Sequence, residues 1–503
     1  MTTPTLITFV AYFIALLGIG LYFWRRNRSI EDYLLGGRGM GAWVTALSTQ
    51  ASDMSGWLLM GLPGAIYAGG MADAWIAIGL FLGTVLNWKL VAGRLRVYTQ
   101  RTDTITLPRF FEARFADPTG LLRIVSGGII LIFFTIYASS GLVACGKLFE
   151  STFGISYTTG VWIGGIITVV YTLLGGFRAV CWTDVFQGLL MVLALVIVPA
   201  VAFVRAGGVA GIQAGAAAQG ISLNLIPPGG AAAALGIASA MAWGLGYFGQ
   251  PHLLVRFMSA RSVAKLSQSL RIAVAWVAIS LTGAVLIGLV GIGLFAAAPD
   301  GDREKVFIGM IHAVIPLWAA GIMLSAILSA IMSTIDSQLL VSSSSLSQDL
   351  YRPALRRDAD PQQVVRIGRV CVVAIAAVAL GLALRPNDTI LGIVAYAWGG
   401  FGAAFGPVVL FALFSRRTTW IAALLGMTAG TVVLVVWKQM GLSEHLYMIV
   451  PGFLANTLTM LCVNRITQQE NARVLRQFDE IARQWRHWAG RGAPADVGCD
   501  TGR

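Results

Sequence analysis

The chain has 503 residues, 57% of them hydrophobic and only 12% charged, with a formal net charge of +13. Water-soluble domains carry about 25% charged residues, so a soluble globule with a polar surface is excluded. The basic excess sits in short connectors between apolar runs, a pattern that orients membrane proteins and excludes nucleic acid as the partner.

A membrane span needs about 20 apolar residues, and about thirteen such runs follow one another along the chain. They fall near 5–24, 41–70, 73–93, 124–149, 157–176, 180–204, 232–256, 272–296, 317–346, 366–385, 390–414, 418–437 and 446–464. The expected fold class is all-α: a polytopic membrane protein lying in a lipid bilayer. The first run, Leu6 to Phe23, comes before the basic cluster Arg25, Arg26 and Arg28. A signal peptide has the reverse order, so this run reads as a retained helix with its N-terminus outside.

Thirteen spans then put the C-terminus in the cytoplasm. On that assignment Lys147, Arg205, Arg303, Lys305, Arg385 and Lys438 are outside, and the remaining 30 of 36 Lys and Arg lie inside or at inner helix ends. The opposite hand would violate the positive-inside tendency. Residues 206–230 are Gly/Ala-rich, end in Pro227-Pro228-Gly229-Gly230, and read as an external loop. Residues 466–488 show helical periodicity with mixed charge, and roughly the last fifteen residues read as disordered. The expected organisation is a transmembrane domain over 1–465 and a cytoplasmic tail over 466–503. Within the domain lie an additional helix 5–24, repeat one 41–205, repeat two 232–414 and extra helices 418–464.

Three stretches interrupt this apolar monotony. In the second span, Ala51-Ser52-Asp53-Met54-Ser55-Gly56-Trp57 runs on to Gly61-Leu62-Pro63-Gly64. A carboxylate among small polar residues there points to a helix broken partway across the bilayer, with carbonyls that an ion or substrate would satisfy. The alternative is a Pro/Gly kink with Asp53 bonded to a neighbouring helix. In the seventh span, Trp243-Gly244-Leu245-Gly246-Tyr247-Phe248-Gly249-Gln250-Pro251-His252 is another poor continuous helix. The two breaks open successive five-helix sets that enter the membrane from opposite sides, the pattern of an inverted-repeat transporter.

In the ninth span, Ala330, Ser333 and Thr334 share one helix face. Their hydroxyls and the Ala330 carbonyl, with the Ala51 and Met54 carbonyls, form a hard-oxygen set suited to sodium; close helix packing by small residues is the other reading. Asp336 is a further intramembrane acid, either biasing an inner gate or pairing with a basic group. Asp184, near the inner end of its span, reads as structural. The histidines are isolated, the five cysteines have no ligand spacing, and no phosphate-binding glycine loop occurs. These features argue against ATP-driven transport and place a membrane enzyme last among the possibilities; no organic cofactor is expected.

The strings 51–61, Asn87 to Arg96, Trp243 to Pro251 and Tyr396 to Pro407 resemble the sodium/solute symporter family, and within it the bacterial sodium/proline symporters. The resemblance runs from the first span to about residue 465. It implies a five-plus-five, leucine-transporter-type core with one helix before it and two after it. It implies sodium-coupled uptake of L-proline through the bacterial plasma (inner) membrane by a monomer, with Na+ as co-transported ion.

The residues it implies for sodium are Ala51, Met54, Ala330, Ser333 and Thr334. Those for proline are Ser55, Gly56, Trp57, Tyr137, Trp243, Tyr247 and Pro251. Asp53 matches an acid needed for coupling, and Arg38 an arginine of the inner pathway. Half-helix N–H groups near Gly56 suit a carboxylate, and aromatic faces suit the imino cation and ring. Each aromatic is equally readable as core packing. The competing functions are a symporter of the same family for another small solute, a non-transporting membrane sensor, and a channel.

Overall fold

The computed structural model describes residues 3–24, 35–351 and 361–490. Arg25, Arg26, Arg28, Cys499 and the tail beyond residue 490 lie outside the described residues. Among the described residues all regular structure is helical, apart from one isolated parallel bridge between Met40 and Ala260.

In chain order the helices of the first half are α1 Thr3–Trp24, α2 Ala42–Asp53, α3 Trp57–Gly69, α4 Met71–Arg101, α5 Leu107–Phe115, α6 Leu121–Phe153, α7 Tyr157–Leu173, α8 Gly176–Arg205 and α9 Gly208–Gln219. The second half has α10 Ala231–Gly249, α11 Pro251–Ser259, α12 Val263–Leu294, α13 Val306–Val314, α14 Leu317–Tyr351, α15 Pro361–Ala383, α16 Ile390–Phe414, α17 Trp420–Gln439, α18 Ile449–Ile466 and α19 Ala472–Gly490. Eleven of these are long and apolar enough to cross a membrane by themselves. The other two expected spans, 41–70 and 157–176, hold the interrupted pair α2–α3 and the shorter α7.

The ladder of spans agrees with the apolar runs, and the differences have local causes. The run 157–204 is nearly one helix, divided where Gly176 leaves helical geometry at φ 63° and ψ 178°. The segment expected to be an external loop contains α9, because its alanines favour helix strongly enough to outweigh its glycines. Gln219 of α9 is tied to α12 by bonds from its amide to the Ile292 and Phe295 carbonyls, at 2.9 and 3.1 Å.

Burial separates core from periphery. α14 and α16 are 83% buried over their most apolar windows, against 28% for α1 and 22% for α18. Helices exposed to lipid need no polar face, so the apolar outer surfaces of α1, α17 and α18 are expected. α14, at 35 residues, is about 50 Å long, well beyond the roughly 30 Å hydrocarbon thickness. It packs on α1, α6 and α8, while α16 packs on α6, α10, α17 and α18. The two interrupted elements, α2–α3 and α10–α11, lie between these buried posts.

Candidate functional site

α2 ends abruptly. Met54 turns out of the helix at φ −88° and ψ 79°, and the chain re-enters helical geometry at Gly56. The break is held open by contact: a Cβ on Gly56 would stand 2.9 Å from Ala144 of α6 and 3.4 Å from Ile331 of α14. Glycine therefore lets both posts close on the gap. At the last turn before it, Ser333 Oγ of α14 donates to the Ala51 carbonyl at 2.7 Å and lies 3.2 Å from the Ala330 carbonyl. Thr334 Oγ1 donates to the same Ala330 carbonyl at 3.1 Å. Ala51, Ala330, Ser333 and Thr334 thus form one buried group of neutral oxygens, and Met54 is buried at its edge.

The second break is built differently. Residues Ala242–Gly249 wind as eight residues of tight 3-10 turns before Pro251 starts α11. Proline at a first helical position has no N–H to lose, so it restarts the helix without cost. Trp243 stacks on Tyr447 at 5.2 Å between centroids and lies 6.4 Å from Trp57, while the Tyr247 ring meets Trp398 edge-on at 5.0 Å. The Trp398 indole N–H donates to the Trp243 carbonyl at 2.8 Å. A Cβ on Gly246 would collide with that indole nitrogen, so only glycine admits Trp398 here.

A hydrogen bond also joins the two breaks: the Tyr247 hydroxyl donates to Asp53 Oδ2 at 2.6 Å. The Trp57 indole N–H donates to the Asp53 carbonyl at 3.1 Å. Asp53 Oδ1 and the Tyr137 hydroxyl are buried and have no hydrogen-bond partner among the described residues. Unpaired buried polar atoms are costly, and two at one locus mark a place shaped for something else to bond. Of the substrate set expected from sequence, Ser55, Gly56, Trp57, Tyr137, Trp243, Tyr247 and Pro251 are all buried around these breaks.

Below the oxygen group lies a charged cluster. Arg256 of α11 pairs with Asp184 of α8 at 3.0 Å and donates to Ser48 at 2.8 Å, Ser337 at 2.6 Å and the His252 carbonyl at 2.7 Å. Ser48 and Ser52 of α2 both donate to the same Asp184 oxygen, at 2.6 and 3.0 Å. Sequence reasoning passed over Arg256, because it stands at the last residue of an apolar run and resembles an ordinary helix end. Asp184 is fully buried beside α2, nearer the centre than a span end. Asp336 Oδ1 accepts from Ser337 at 3.2 Å, and its Oδ2 has no hydrogen-bond partner among the described residues.

Arg38 is not at the breaks. It lies at one end of the bundle, donating to the Met258, Thr99 and Thr104 carbonyls at 3.3, 3.3 and 2.9 Å. At the opposite end Glu304 accepts from the Ile390 and Leu391 N–H groups at 3.0 and 3.1 Å and from Lys147 at 2.7 Å. A carboxylate on a helix N-terminus is favourable by about 0.3–1 kcal/mol or more when partly buried. Trp398, Tyr447, Arg256 and Glu304 are the contributors that sequence reasoning did not single out.

The "Sodium:solute symporter family" pattern matches residues 33–430. The chain belongs to that family. It is 46% identical to the "Sodium/proline symporter" of Salmonella typhimurium over 95% of this chain and 96% of the relative. It is 48% identical to the "High-affinity proline transporter PutP" of Bacillus subtilis over 92% of this chain and 98% of the relative. A solved Na+-coupled sialic acid symporter superposes with a TM-score of 0.78 at 17% identity, covering 93% of this chain and 99% of the other. The fold is therefore the five-plus-five, leucine-transporter type expected from sequence, in a multi-pass membrane protein that couples solute movement to sodium.

Proposed function

We propose that the chain carries L-proline into the bacterial cell with sodium by alternating access, and that it has no catalytic activity of its own. The Ser333–Ala51 bond at 2.7 Å carries the reading, since it brings the hydroxyl stripe of α14 onto the first break. On this reading sodium enters among the carbonyls of Ala51, Met54 and Ala330 and the hydroxyls of Ser333 and Thr334. It replaces a direct hydrogen bond with ion coordination. The donors are all neutral oxygens, suited to a hard monovalent cation that must also leave.

Proline's carboxylate is assigned to the N–H groups at Gly56 and Trp57, the positive end of α3. Its ring and imino cation fall among Trp57, Tyr137, Trp243 and Tyr247, with Ser55 and Pro251 closing the pocket. The identity to named proline carriers, across nearly their whole length, supports this solute. The Arg38 end is assigned to the cytoplasm, the Lys147 end to the outside, with the N-terminus out and the tail in. Repeat one spans 41–205 and repeat two 232–414, and the working unit is the monomer.

One charge moving down about 100 mV releases about 2.3 kcal/mol. A tenfold sodium gradient adds about 1.4 kcal/mol, enough together for roughly 500-fold accumulation at one-to-one coupling. The test is uptake of labelled proline into proteoliposomes with and without an inward sodium gradient. Sodium-driven accumulation is expected. Proline binding without accumulation, or accumulation of another solute and not proline, would overturn the reading.

A further inference from the structure

We propose that Asn456 stands in for the backbone N–H that Pro407 lacks, and thereby sets the bend of α16 and the position of Trp398 against the second break. Pro407 lies inside α16 and leaves the carbonyl four residues back, that of Ala403, without its helical donor. The Asn456 side-chain amide of α18 donates to that carbonyl at 2.8 Å, and to the Ala404 carbonyl, also at 2.8 Å. Asn456 is fully buried although α18 is otherwise mostly open to lipid. An amide in that setting is costly unless it answers a specific need, and the carbonyl that Pro407 leaves open supplies one.

The rest of α16 is fixed. Glu304 binds its first N–H groups, at Ile390 and Leu391. Arg114 and Arg94 bind its last carbonyls, at Ala412 and Leu413, from 2.7 and 3.1 Å. Between these ends, the turn from residue 403 to 407 lacks a helical hydrogen bond at Pro407 and is where α16 bends most easily. One turn before that bend, Trp398 holds the Trp243 carbonyl and the Tyr247 ring, and its own carbonyl accepts from Gln250 at 3.2 Å. A change in bend therefore moves Trp398 relative to the solute pocket. The helices after the ten-helix core thus have a mechanical role, with α18 as the clamp on the bend. Asn456 touches neither ion nor solute, so it is a positioning residue.

The test is a double-mutant cycle with Pro407→Ala, which restores the missing N–H. Asn456→Leu keeps the side-chain volume and removes both donors. In the Pro407 background it should raise the proline KM about fivefold at unchanged sodium half-saturation. In the Pro407→Ala background the same substitution should leave the KM unchanged. Asn456→Ala, which also lacks a donor, covers the case in which the leucine variant fails to insert; its cavity costs the same in both backgrounds, so the rescue is read as the difference between them. Melting temperature in detergent supplies the cycle without reference to any solute, so absence of wild-type proline uptake would sink the solute assignment and leave this cycle readable. An unchanged KM and melting temperature in Asn456→Leu, or equal losses in both backgrounds, would overturn the proposal.

Discussion

The two breaks solve one problem in opposite ways. The first leaves helical geometry within three residues, Met54 to Gly56, and its neighbours are hydroxyls and carbonyls. The second tightens into 3-10 turns over Ala242–Gly249 before leaving helical geometry at Gln250, and its neighbours are aromatic rings. An abrupt break exposes oxygens at fixed spacing, which suits an ion. A stretch of tightened turns presents a wall whose shape is set by side chains, which suits an organic ring. Sodium is thus assigned to the oxygens before the first break, while the solute bridges the two, its carboxylate at the start of α3 and its ring against the aromatic wall.

That contrast can be broken at several points. Removing what joins the halves should do most damage. Arg256→Met leaves Asp184 buried and unpaired, which costs about 3–5 kcal/mol. A marked fall in melting temperature is expected, restored in part when Asp184→Leu is added. A melting temperature unchanged by Arg256→Met would show the cluster to be idle.

Asp53→Ala removes the carboxyl that accepts the Tyr247 bond and leaves that hydroxyl buried without it, a cost of about 1–3 kcal/mol, so sodium-driven uptake should fall about 10- to 100-fold. Retained uptake in correctly inserted protein would detach the two breaks from each other. The next two substitutions sharpen the comparison by splitting it. Thr334→Ala should raise the sodium half-saturation about tenfold, while proline KM at saturating sodium stays as it was. Trp243→Phe should do the converse, raising proline KM about threefold with sodium dependence intact. If either variant shifted both quantities equally, the division of labour would fail.

The breaks were legible because they violate local rules: glycine, proline, hydroxyls and a carboxylate inside apolar runs. The stripe Ala330, Ser333, Thr334 was legible for the same reason, through helical spacing. The partners of those residues were not. Nothing local distinguishes Trp398 from any aromatic in an apolar helix, and its importance comes from reaching the Trp243 carbonyl 155 residues away. Arg256 and Asp184 each look like a span-end charge until α2, α8 and α11 converge. The helix at 208–219 was hidden because a Gly/Ala mixture reads as loop by its glycines and as helix by its alanines, and packing on α12 decides.

The backbone pairing of Met40 with Ala260 has a mechanical corollary. The Arg261 N–H donates to the Met40 carbonyl at 2.9 Å and the Met40 N–H to the Ser259 carbonyl at 3.3 Å, stitching the start of α2 to the end of α11. Displacing either of these two segments therefore displaces the other or breaks both bonds. The Ser333–Ala51 contact lies where this joined pair meets α14. On the sodium assignment, a shift of the pair away from α14 would open the ion's oxygen set in the same movement.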